Sequence, residues 1–110
     1  AEDRDLPMIR PTEPADTPAL VALAEGTGVF KPHEIEALQE VLDDYHAANR
    51  EFGHRAISWL EGATPVAFAY FAPTAMTDRT WELWWIAVEA GRQGQRLGRR
   101  LLEFVEQEVR

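Results

Sequence analysis

The sequence predicts one small α/β domain with the element order β-α-α-β-β-β-α. Three observations carry that prediction. Apolar residues recur at helical spacing in three stretches, marked by Leu20/Leu23/Ala24, by Ile35/Leu38/Leu42/Tyr45 and by Leu97/Leu101/Val105/Val109. Two β-rich runs, Ala56–Leu60 and Val66–Phe71, flank a turn of Glu61-Gly62-Ala63-Thr64-Pro65. A third apolar run, Trp81–Val88, leads through a glycine-bearing turn into the last helical stretch.

Residues 1–7 are acidic and unpatterned, and read as a leader or cloning remnant ahead of the natural-looking start Met8-Ile9-Arg10-Pro11. Met8–Arg10 is the first strand. Asp16 or Thr17 caps the first helix, with Pro18 in the opening turn, where a missing N–H costs little, and Gly26 or Gly28 ends it. Pro32 opens the second helix, with Glu34, Glu36, Glu40, Asp43 and Asp44 mostly opposite its apolar face. Ala47–Gly53 is a connector and Pro73–Thr80 a longer loop. Trp81–Val88 has bulky residues at both parities, which suits a central strand covered on both faces. In the last helix Leu102 widens the apolar stripe, while Glu103, Glu106 and Glu108 face out.

Composition narrows the function. At 110 residues the chain holds at most one domain with a modest core, and 45% apolar residues with four tryptophans argue for a folded one. A net charge of −8 disfavours nucleic acid, whose backbone needs broad positive surface. The absence of cysteine excludes disulfides, thiolate metal sites and cysteine nucleophiles. No apolar run reaches the ~18 residues of a membrane helix and no signal peptide is evident, so no membrane partner is expected and a cytoplasmic protein is the default.

The most informative segment is Arg92-Gln93-Gly94-Gln95-Arg96-Leu97-Gly98-Arg99-Arg100. A strand, a glycine turn and a helix start present unpaired N–H groups and the positive end of the helix dipole to one point, which is an anion site. Four arginines between positions 92 and 100, with no acid among them, strengthen it. The glycine spacing fits neither the dinucleotide fingerprint nor the P-loop. It resembles the acetyl-CoA motif of the GNAT acetyltransferase superfamily, Gln/Arg-x-x-Gly-x-Gly/Ala, here Gln93-Gly94-Gln95-Arg96-Leu97-Gly98 after Ile86-Ala87-Val88. Arg96 stands where that motif usually has its middle glycine; its N–H can still donate, and its side chain is within the reach of a phosphate.

The resemblance spans nearly the whole chain from position 8 and implies a mixed, mostly antiparallel sheet with flanking helices. It implies acetyl-CoA as cosubstrate, with the acetyl group moved to an amine by direct attack on the thioester. The N–H groups of Gly94, Gln95, Arg96, Leu97 and Gly98 would cradle the pyrophosphate, helped by the side chains of Arg92, Gln93 and Arg99. Pantetheine would lie along Ile86, Ala87 and Val88. A full domain of this family continues past the third helix with a fifth strand and a fourth helix. The 110-residue chain is therefore expected to be part of a larger protein, or to complete its sheet by swapping or homo-oligomerisation.

For catalysis, Glu82 is the leading general base. By period two it shares a face with Trp84, Ile86 and Val88, apolar company that raises a carboxylate's pKa toward use near neutrality. Phe30 and His33, in the segment joining the first two helices, are the candidate acceptor-binding residues. His33, His46 and His54 lack partners at ligand spacing, so no metal is expected and each reads as a surface or capping residue. The tryptophans read as core, with one or two free to line the acceptor side. Two other classes stand beside the enzyme: an acyl-CoA-binding or regulatory module without catalysis, and an interaction domain that binds no CoA at all. The acceptor itself stays open among amino acids, antibiotics, polyamines and protein N-termini, the acidic surface favouring a cation.

Overall fold

The computed structural model describes residues 8–73, 81–91 and 97–108. Strand β1 (Met8–Pro11) is followed by a 3-10 turn (Pro14–Asp16), helix α1 (Thr17–Thr27) and helix α2 (Pro32–Ala47). A second 3-10 turn (Asn49–Phe52) leads to β2 (Arg55–Glu61), β3 (Thr64–Pro73), β4 (Trp81–Val88) and helix α3 (Leu97–Glu108). The order of helices and strands is the expected one. The four strands form one sheet in the order β1-β2-β3-β4, every pairing antiparallel. The hairpin is tighter than the sequence suggests: Glu61 pairs with Thr64, so Gly62 and Ala63 alone make the turn, with Gly62 at φ 63°.

The sheet separates two apolar layers. On one face α1 and α2 bury Leu20, Leu23, Ala24, Leu38, Leu42 and Tyr45 against Ala56, Phe68, Tyr70 and Ala87. On the other, Leu97, Leu101 and Val105 of α3 pack against Ile57, Trp59, Val66, Ala67, Ala69 and Phe71. The three-to-four spacing of those helix residues produces this split directly. Leu102 departs from expectation, being 39% exposed. It lies one position past Leu101, about 100° around the helix from the buried stripe. Val109 and residues 1–7 lie outside the described residues. No described helix is long and apolar enough to cross a membrane.

Strand β4 is not the doubly covered central strand its sequence suggests. Among the described residues it is an edge strand, with Leu83 and Trp84 39% and 44% exposed. The bulky residues at both parities have a different origin, a β-bulge. Tyr70 pairs with Trp85 but the next residue, Phe71, pairs with Leu83, which leaves Trp84 as the extra residue.

A partly buried ion pair ties β1 to the helical layer. Arg10 donates from Nη1 and Nη2 to the two carboxylate oxygens of Asp16 at 2.7 and 3.0 Å, and the Glu13 N–H donates to Asp16 at 2.8 Å. These bonds, above all Arg10, hold the Asp16 carboxyl below its usual pKa despite burial. Asp16 thus tightens the 3-10 turn before α1; its side chain makes no cap hydrogen bond to α1 itself. Because the folded pKa is depressed, its contribution is present above about pH 4 and fades as pH falls through the folded value. Asp16→Ala is expected to cost about 2–3 kcal/mol at pH 7. Urea unfolding at pH 7 and pH 3 should show the gap to wild type closing at the lower pH.

Candidate functional site

A cleft forms where three elements converge. Thr27 ends α1, and Gly28, at φ 74° in the left-handed region that favours glycine, turns the chain toward Val29 and Phe30. These residues face the end of β4, Ile86-Ala87-Val88, and the first turn of α3 at Gly98 and Arg99. Together they line a cleft of about 500 Å³. Phe30 is fixed at its rim by the Trp85 ring, with centroids 5.5 Å apart. At Gly98 a Cβ would stand 3.5 Å from Val88 Cγ2, so a larger side chain would project into the gap between α3 and β4. The walls are mainly apolar, with Arg99 as the charged residue. An extended chain with apolar segments and an anionic end suits that combination.

Six of the residues singled out in the sequence therefore meet in one place: Phe30, Ile86, Ala87, Val88, Gly98 and Arg99. Leu97 is buried under α3, in its core layer. His33 is exposed in the first turn of α2 and does not line the cleft. Arg92, Gln93, Gly94, Gln95 and Arg96 lie outside the described residues.

Glu82 occupies a different face from the expected one. It pairs with Ala72, which shares its parity with Tyr70 and Phe68 on the α1/α2 side of the sheet. Ile86 and Val88 pack on the α3 side. The bulge at Trp84 inserts one residue and reverses the alternation, which a strict period of two cannot anticipate. Glu82 keeps Trp84 as a neighbour on its face, since the Trp84 ring meets Tyr70. It is exposed rather than enclosed.

Two histidines are not the ordinary surface residues their surroundings in the sequence suggest. His54 Nδ1 lies 2.7 Å from the hydroxyl of the fully buried Tyr70. Burial pushes the Tyr70 hydroxyl up to about 12, reinforced by Tyr45 and Asp44 and opposed by a hydrogen bond from Asn49. Burial also holds the His54 imidazole below its usual value, so it is neutral near pH 7. The tautomer of the His54 ring sets which of the two groups donates in this bond. The one available signal was Tyr70 itself, since a tyrosine in an apolar strand needs a partner for its hydroxyl. His46 packs edge-on against Tyr45, and both its ring nitrogens are buried without a partner among the described residues. Burial, then Arg50, lowers its pKa against Asp16 and Asp43.

The acetyltransferase (GNAT) family model matches residues 17–110. Among solved structures, a protein assigned to the GNAT acetyltransferase family from Desulfovibrio desulfuricans is 31% identical with a TM-score of 0.88, over 94% of this chain and 66% of that one. A GNAT family acetyltransferase from Brucella melitensis, determined with acetyl-CoA, is 19% identical with a TM-score of 0.75, over 96% of this chain and 69% of that one. PaiA N-acetyltransferase from Thermoplasma acidophilum, determined with coenzyme A, is 14% identical with a TM-score of 0.73, over 94% and 72%. At those last two identities the likeness is one of fold. The chain spans just under two thirds of the D. desulfuricans relative's length. No curated protein sequence gives a significant match.

Proposed function

The chain belongs to the GNAT acetyltransferase family, and from that premise we propose that its cleft receives the pyrophosphate and pantetheine of acetyl-CoA in the service of N-acetyl transfer. The observation that carries the reading is the convergence of the β4 end, the first turn of α3 and the α1–α2 connection on one cleft. The residues fit such a cosubstrate. Gly98 leaves room for close approach to the first turn of α3, Arg99 supplies positive charge, and the apolar Ile86–Val88 edge suits an extended acyl-carrying arm.

The cosubstrate would supply an activated thioester, whose carbonyl carbon the amine attacks as the C–S bond breaks and the thiolate leaves. The protein's tasks are then positioning and proton removal. Arg99, Gly98 and, from the family motif, Arg92–Leu97 hold the phosphates. Glu82, as a carboxylate, takes the proton of the attacking amine. The acceptor enters from the α1–α2 connection past Phe30. That ring also borders a second hollow of about 490 Å³ with Glu25, Pro32, Ile35 and Glu36, two carboxylates that favour a cation.

The rival reading is a CoA-binding or regulatory module without catalysis. Both forms bind CoA; only an enzyme releases CoA thiol from acetyl-CoA in the presence of an amine. A thiol-release screen over amine acceptors tests the proposal, and CoA binding with no turnover for any of them would favour the module. Replacing Phe30 by Ala is expected to raise KM for the amine about 3–10-fold while leaving KM for acetyl-CoA within about twofold, whereas His33→Ala, outside both hollows, should change the amine's KM less. Equal changes in both constants would move the acceptor path away from this connection.

A further inference from the structure

We propose that Trp84 is a specificity-determining residue on the acceptor side, its exposed indole and the carboxylate of Glu82 together receiving a positively charged group of the amine. The proposal rests on the acetyl-transfer reading for the identity of the ligand as an acceptor. The cation site itself stands on the geometry of β4.

Trp84 is the extra residue of the bulge, so no residue of β3 stands opposite it. Its ring is nevertheless fixed. Tyr70 lies 5.3 Å away between centroids, at 36°, and His54 5.1 Å away, edge-on at 82°. Tyr70 and His54 are in turn locked by their 2.7 Å hydrogen bond. Two mutually hydrogen-bonded side chains thus hold one indole in place while leaving it 44% exposed. An indole ordered before any ligand arrives gives up little side-chain freedom on binding, and tryptophan offers the best aromatic face to a cation.

Charge and position select the occupant. Glu82 is exposed on the same face, two residues along β4 and therefore roughly 6–7 Å away. A carboxylate beside an aromatic face, on a chain with net charge −8, suits a cation and repels an anion. His54 adds no positive charge near pH 7. Trp84 also lies two residues from Ile86, the upper limit of the cleft, and next to Trp85, which packs on Phe30. A ligand lying along Val88 to Ile86 would point its end toward this ring.

The test needs no turnover. Choline and its uncharged carbon isostere, dimethylbutanol, differ in charge but scarcely in shape. Each is titrated into the CoA-saturated wild-type and variant chains, and its affinity is read from the backbone amide resonances of β4. The expected result is at least about fivefold tighter binding of choline. Trp84→Leu should abolish that preference, and Trp84→Phe should retain part of it. Equal affinities, no binding of choline, or a preference that survives in Trp84→Leu would each overturn the proposal. The thermal shift given by CoA is read in the same samples. A choline preference without any CoA shift would support the cation site and count against the acetyl-transfer reading instead.

Discussion

Glu82→Gln is expected to lower kcat at neutral pH by about 10²–10⁴, the range of a general base in the transition state, and to leave CoA affinity nearly unchanged. The substitution keeps shape and removes only the ability to carry a proton away. The two expectations separate because Glu82 lies outside the cleft lined by Ile86–Val88, Gly98 and Arg99, toward the opposite end of β4. Its exposure and its place beside Trp84 leave the carboxylate open to an incoming ammonium group. An amine must lose that proton before its lone pair can attack. Thiol release measured with saturating acetyl-CoA, from about pH 6 to about pH 9, decides the matter. A variant that keeps wild-type rates over the whole range would leave Glu82 a solvated strand residue. Loss of CoA affinity in the variant would instead mean that the strand had been disturbed.

The parts of the fold set by periodicity were legible in the residues. Leu38, Leu42 and Tyr45 on α2, and Leu97, Leu101 and Val105 on α3, are buried as their spacing requires. Pro32 in the first turn and Gly28 at the left-handed cap mark helix ends by local chemistry alone. What was not legible depends on partners distant in sequence. The bulge at Trp84 exists only as a shift in pairing with Tyr70 and Phe71, and it moved Glu82 to the other face from Ile86. The role of His54 depends on a hydroxyl 16 residues away. Asp16 looked like a cap for α1, yet Arg10 draws its carboxylate back toward β1. The cleft stands between these cases. Its β4 and α3 walls follow from a motif, and the Thr27–Phe30 side from the glycines that turn the chain there, whereas the absence of His33 from its lining depends on how α2 starts.

CoA at a hundredfold excess over Kd is expected to stabilise the wild-type chain by about 2.7 kcal/mol, and Gly98→Asp should remove nearly all of that gain. Position 98 makes the experiment clean. Among the described residues a Cβ there meets only Val88 Cγ2, at 3.5 Å, an ordinary contact, so Gly98→Ala serves as the control. An aspartate extends further, into the gap between α3 and β4, and places a negative charge where the phosphates are proposed to lie. The fold itself is not at risk, because a carboxylate in the first turn of a helix is favoured by the helix dipole. The ligand-free Tm of the variant should therefore stay close to that of the wild type, while the increment with CoA collapses. Gly98→Ala should keep most of that increment. Differential scanning fluorimetry across a CoA titration measures both quantities at once. An equal shift in Gly98→Asp and wild type would mean that CoA binds elsewhere on the chain, and an absence of shift in the wild type would remove the phosphate site altogether.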